Sequence, residues 1–129
     1  DIHPKDLETP CPDYPDHAGR QAYLVDAIRS MDAAGVDALV YPSWTNPPAH
    51  LNNAFEEYKG DNSQLVAPAT GLPAVTVPMG YSDGHLPVGL QILGRPYSEG
   101  LLIGMAYAYE QHSLHRRPPE LFPELEPLL

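Results

Sequence analysis

Apolar side chains recur at steps of three and four through Leu24, Ala27, Ile28, Met31 and Ala34, and Arg20, Asp26, Arg29 and Asp32 lie between them. That spacing gathers one apolar stripe and one wet face, so a helix is predicted from Arg20 to Ala34. Gly35 follows as a left-handed stop. The next run, Asp37-Ala38-Leu39-Val40-Tyr41, is short, apolar and closed by Pro42. It lacks alternation, which predicts a central strand covered on both faces.

From Pro42 to Pro68 the chain is punctuated by Pro47-Pro48, Asn52-Asn53 and Gly60-Asp61-Asn62, leaving only Ala54 to Lys59 for a helical turn or two. A connection of this length inside a compact domain is usually a binding or active-site element, or else disordered, and Trp44, Phe55 and Tyr58 favour its ordering. Two strands are then predicted, Ala74 to Pro78 and Val88 to Leu93, with Val88, Leu90 and Ile92 on one face. Asp83-Gly84 between them predicts an antiparallel hairpin, and Pro73, Pro78 and Pro87 fall at strand ends, where a missing N–H costs least. Ser98 is placed to cap a second helix whose buried stripe is Leu102, Met105, Ala106 and Tyr109, fading near Ser113.

The flanks read differently. Residues 1–18 are rich in proline and acidic turn formers without an apolar period, which predicts an extended Pro-rich arm, with the folded part over 19–129. Beyond Arg116, Pro118-Pro119, Pro123 and Pro127 forbid a continuing helix and predict a segment running over the surface.

Composition narrows the partners. The chain has 129 residues, enough for one core, with 43% apolar residues, 16 prolines and 10 glycines. Its formal charge of −10 repels phosphate backbones and anionic headgroups, so neither nucleic acid nor membrane is expected as a partner. The longest apolar run, Leu101 to Tyr109, is far shorter than the roughly 20 residues of a membrane span. No secretion signal is legible at Asp1 to Asp6, and the single cysteine, Cys11, excludes an intrachain disulfide; a cytoplasmic location is expected.

Candidate chemistry is thin. Serine hydrolysis requires a nucleophile beside a base, and no Gly-x-Ser-x-Gly or Ser-x-x-Lys pattern occurs; the only lysines are Lys5 and Lys59. Cys11 lies between Pro10 and Pro12 without a partner pattern, and reads as a loop residue. His112 and His115 are an incomplete metal pair beside Arg116-Arg117, and read as a solvated helix end. Glu56-Glu57 with Asp61 reads as a polar face rather than an acid/base pair, and Gly100 with Gly104 as a place for close backbone packing. No catalytic residue, metal or cofactor is expected within the chain.

One series of motifs carries more information than any of these. It reads Ala67-Pro68-Ala69-Thr70-Gly71-Leu72-Pro73-Ala74-Val75-Thr76-Val77-Pro78-Met79-Gly80, then Asp83-Gly84-His85-Leu86-Pro87-Val88-Gly89-Leu90-Gln91, then Gly94-Arg95-Pro96-Tyr97-Ser98-Glu99. In this order the segments resemble the C-terminal end of the amidase signature family. The family's closing elements correspond to Arg20 to Ala34, Asp37 to Ser43, Gly71 to Gly80, Leu86 to Gly94 and Glu99 to Glu110. The resemblance implies an α/β fold, here a partial mixed sheet of about three strands flanked by helices, completed by strands from a long preceding region. It also implies hydrolysis of a carboxylic amide to an acid and ammonia or an amine. The implied machinery is a lysine, a bridging serine and a nucleophilic serine, the serines in a Gly/Ser-rich stretch that this chain lacks.

Two departures bear on the site. Ser43 stands where the family's strand closes in threonine, and Thr70 stands where many members have asparagine, with Asn62 a few residues earlier as its possible counterpart. The family uses the loop after the first strand to shape the substrate channel, so the resemblance implies substrate contact at Trp44, Thr45 and Asn46, with Asn62. The expected reading is a C-terminal amidase piece, inert by itself, whose partner is the N-terminal remainder or a second copy and whose substrate in the complete enzyme is a small amide. The alternatives are a free-standing non-catalytic binding module, or part of the glutamine-hydrolysing A subunit of a tRNA amidotransferase.

Overall fold

The computed structural model describes residues 17–60, 63–119 and 121. The 1–18 arm therefore falls outside the described residues except at its last two positions, where Ala18 already opens the first helix. Helix α1 (Ala18–Ala34) ends at Gly35, whose φ of 64° and ψ of 37° are left-handed. The Val36 N–H turns back to the Met31 carbonyl and the Gly35 N–H to that of Asp32. A residue with a Cβ resists that conformation, which is why a glycine closes the helix here. Ala27 and Met31 are buried and Leu24 and Ile28 partly so, whereas Ala34, at the end of the helix, is exposed.

Strands β1 (Ala38–Pro42), β2 (Ala74–Ser82) and β3 (Leu86–Gly94) form an antiparallel sheet in the order β1-β3-β2. The α/β class holds, but the predicted place of β1 does not: β3 is central and β1 lies at an edge, with Val40 64% exposed. An apolar run without alternation looks central in sequence, yet within these residues only β3 supplies it a partner. β2 also runs further than predicted, and Pro78 lies inside it rather than at its end. A bulge between Pro78 and Gly80 accommodates this, with Gly80 at φ 140°. The hairpin turns at Asp83 and Gly84, both at positive φ, as Asp-Gly implied.

Helices cover both faces. Helix α4 (Glu99–Ser113) sets Leu102 and Ala106 against Val77 and Ile92, with Met105, Tyr109 and Leu90 around them. On the other face α1 sets Ala27 and Met31 against Leu93 and Leu72. Met31, Leu93 and Leu102 are fully buried, each contributing roughly 1.5–3 kcal/mol relative to exposure. Ser98 occupies the N-cap of α4, but its hydroxyl donates to the Arg95 carbonyl at 2.7 Å instead of accepting from the helix. Gly94 must stay bare for this: a Cβ there would collide with Ser98 Oγ and lie 2.8 Å from Leu102 Cδ2.

Two arginines tie the layers together. Arg95 Nη1 meets Asp32 Oδ1 at 2.7 Å while Nη2 donates to the Val36 carbonyl at 3.0 Å, so the end of β3 holds the end of α1. Arg20 donates through Nε to the Ala69 carbonyl and through Nη2 to that of Pro68, at the C-terminal end of α3 (Val66–Thr70). That short helix was not predicted, because Pro68 and Gly71 disguise it. Thr70, buried, anchors its end: the hydroxyl donates to the Val66 carbonyl at 2.6 Å and accepts from the Leu72 N–H at 3.3 Å. The surface course predicted beyond Arg116 holds over the described residues. Arg117 stacks on the Tyr81 ring at 3.7 Å and donates to the Gly84 carbonyl.

Candidate functional site

β3 begins four residues before the point where β1 can pair with it. Pro42, opposite Leu90, is the last residue of β1, so Leu86 to Gly89 have β2 on one side only. One more backbone bond, Ser43 N–H to the Gly89 carbonyl at 2.7 Å, continues the ladder before the chain turns away. The departing loop arches over the bare edge of β3. It leaves a cleft of about 540 Å³ lined by Ser43 to Ala49, by Tyr58 to Gly60, and by Ser82 and Leu86 to Gly89. That volume falls within the range of about 300–1,000 Å³ typical of small-molecule sites.

Within this loop lie a 3₁₀ turn at Leu51–Asn53 and the single helical turn α2 (Ala54–Glu57). Ordering does not come from burying its aromatics, as the composition had led us to expect: Phe55 is 99% exposed and Tyr58 is exposed as well. Polar clips hold it instead. Glu57 accepts from the His50 N–H at 2.9 Å and lies 2.8 Å from His50 Nδ1, and its other oxygen accepts from Asn53 Nδ2 at 3.3 Å. The backbone donor of His50 is the largest influence holding the Glu57 carboxyl at a pKa of about 2, with the His50 ring next. Farther in, Asn46 Nδ2 donates to the Gly60 carbonyl at 3.2 Å and to Thr45 Oγ1 at 3.3 Å, and Ser63 Oγ donates to the Ser43 carbonyl at 2.9 Å.

The structure brings Trp44, Thr45 and Asn46 together on the cleft. Trp44 is about half exposed there. The Asn46 amide nitrogen is engaged in joining the loop's two ends. Asn62 lies outside the described residues. Tyr58 and Lys59, within the connection expected to be a binding element, and the Leu86–Gly89 edge also line the cleft, although none of them was named as a substrate contact. The signal for them is the mismatch between a five-residue β1 and a nine-residue β3, which becomes legible only once the two are known to pair.

Activated chemistry is absent from the described lining. The Ser43 hydroxyl is buried without a hydrogen-bond partner, packed so tightly that a Cβ on Gly89 would lie 2.8 Å from it. It therefore lacks the adjacent base that nucleophilic serines require. On the α1 side, the Tyr41 hydroxyl is likewise buried and unpartnered, and burial pushes its pKa above 10.0, with Tyr23 acting in the same direction. No group of three potential metal ligands occurs among the described residues. His115 meets the Tyr109 ring edge-on with 6.3 Å between centroids. No helix among the described residues is long and apolar enough to cross a membrane.

The Amidase family model matches residues 15–103. The chain is 36% identical over 92 residues to the A subunit of glutamyl-tRNA(Gln) amidotransferase from Methanosarcina barkeri, covering 67% of this chain and 19% of that protein. Native peptide amidase from Stenotrophomonas maltophilia superposes with a TM-score of 0.64 at 36% identity, over 92% of this chain and 22% of that one. The A subunit of glutamyl-tRNA(Gln) amidotransferase from Thermotoga maritima gives a TM-score of 0.58 at 26% identity, over 72% and 21%. The chain thus spans about a fifth of the length of the curated relatives it matches.

Proposed function

The chain belongs to the amidase family, and from that premise we propose that it forms one wall of the substrate cleft of a carboxylic amide hydrolase. The products would be an acid and ammonia or an amine. Its reactive groups would come from a further segment of polypeptide. The observation that carries this reading is a cleft of ligand size with Trp44 in its lining and no activated nucleophile among its described lining residues. Walls and reactive groups would then be divided between segments.

Uncovered surface supports the need for such a segment. Val40 on β1, Leu51 and Phe55 on the loop, and Leu101, Ile103 and Tyr107 on α4 are all exposed. Among the described residues both edge strands also carry unpaired backbone groups. Isolated, the chain would therefore self-associate, and an apolar dye would bind it. A cytoplasmic location suits a chain with a single cysteine.

The relatives among glutamyl-tRNA(Gln) amidotransferase A subunits support a second reading, a portion of a glutamine-hydrolysing protein of that kind. The wider structural overlap with the peptide amidase favours the first. A free-standing binding module is the third. Ammonia release separates the hydrolytic readings from the binding module, and preference for glutamine over other carboxylic amides separates the second reading from the first: the 129-residue chain alone should be inert, and the same residues within a longer family polypeptide should turn over. Turnover by the chain alone would refute the division of labour, and inertness of the longer polypeptide would favour a binding module.

A further inference from the structure

The cleft's walls speak to what occupies it. Trp44, Pro47, Pro48, Leu86, Pro87 and Val88 present indole, pyrrolidine and branched aliphatic surface. Such a lining removes apolar ligand area from water, which favours binding in proportion to the area covered. The charged side chain among the described lining residues is Lys59. In a chain with 17 acidic against 7 basic residues, a cation at this position opposes the general field of the molecule. A ligand ammonium entering beside it meets a like charge, whereas a neutral or acyl-capped ligand does not.

We infer that the cleft selects a carboxamide with a flat or branched apolar flank and no free ammonium group near the amide. This deepens, and rests on, the reading of the cleft as a substrate wall. The flank lies along Trp44 and the proline pair, and Lys59 sets the charge discrimination. Trp44 supplies area with little entropy to lose, since an indole has few rotatable bonds and this one is already half covered. The loop that carries it is tied at both ends, by Asn46 to Gly60 and by Ser63 to Ser43, so the wall stands before a ligand arrives.

Trp44 is the chain's single tryptophan, so its emission reports the cleft without any turnover. The 129-residue chain would be titrated at pH 6 with 3-phenylpropanamide, acetamide and L-phenylalaninamide, the last differing from the first by one ammonium group. A blue shift of Trp44 emission is expected with 3-phenylpropanamide, at an affinity at least about tenfold above acetamide. L-phenylalaninamide should bind about fivefold more weakly, the scale of one screened like-charge contact. Lys59→Gln should bring that last ratio close to one; Lys59 is exposed, so the fold does not depend on it. Equal affinity for acetamide, equal affinity for L-phenylalaninamide, or no response of Trp44 to any of the three would overturn the inference. A selective Trp44 response with no amide turnover by the longer polypeptide would remove the hydrolytic reading and leave the binding preference standing.

Discussion

Asn46 and Gly60 are separated by 14 positions, yet the Asn46 Nδ2 donates to the Gly60 carbonyl oxygen at 3.2 Å and so closes the loop that roofs the cleft. The same nitrogen reaches Thr45 Oγ1. The side chain that the family resemblance implies for substrate contact thus holds the loop shut.

Replacing it should loosen the roof more than the fold. Asn46→Ala removes a bond worth roughly 0.5–1.5 kcal/mol on a partly exposed loop. The expected result is faster proteolysis between Pro47 and Lys59 with a small change in melting temperature. Asn46→Asp keeps the shape but loses both donors, so it should behave like alanine. Retained protease resistance in both variants would show that the clip is dispensable.

Two glycines should respond with opposite signs. A Cβ at Gly89 would lie 2.8 Å from both Ser43 Oγ and Thr76 Cγ2, so Gly89→Ala should destabilise by about 1–3 kcal/mol and narrow the cleft. Gly104 lies in the middle of α4 with nothing within 4 Å of a Cβ, so Gly104→Ala should stabilise by about 0.5–1 kcal/mol. Urea midpoints of the pair provide the check, and a shift of the same sign in both would contradict the packing described.

Arg95 joins β3 to α1 through Asp32 Oδ1 and the Val36 carbonyl. The Asp32 carboxylate is largely exposed, so Asp32→Asn should cost less than about 1 kcal/mol. Arg95→Met also leaves the Val36 carbonyl without its charged donor and should cost more, about 1.5–3 kcal/mol. Thermal unfolding of the two variants distinguishes a fork that spans two elements from a simple surface ion pair.

Glu57 provides a pH signature. Its folded-state pKa is about 2, below the ordinary 4.5, first because the His50 N–H donates to it. A lowered carboxylate pKa means the unfolded chain binds the proton more readily, so the contribution is fully present above about pH 4.5 and is lost as pH falls from there toward 2. A carboxyl NMR titration should place the Glu57 midpoint near 2, and loop protection near Ala54 should decline across the same interval. A midpoint at 4.5 would mean that the His50 clip does not form in solution.

Much of the scaffold was legible in residue order. The stripe of Ala27 and Met31, the stop at Gly35, the Asp83-Gly84 turn and the stripe of Leu102 and Ala106 are local signals, set by period and by backbone sterics within a few positions. Pro78 within β2, Thr70 ending an unpredicted helix and Ser98 bonding backward to Arg95 were not legible, because each depends on a neighbour that local propensity does not specify. The family, too, could be read from ordered motifs alone. The cleft is another matter: it exists because β1 stops opposite Leu90 while β3 continues back to Leu86, a difference between distant segments that antiparallel pairing converts into open space. Sequence set which residues stand on the loop, and tertiary pairing decided which of them, Trp44 and Lys59 included, line one cleft.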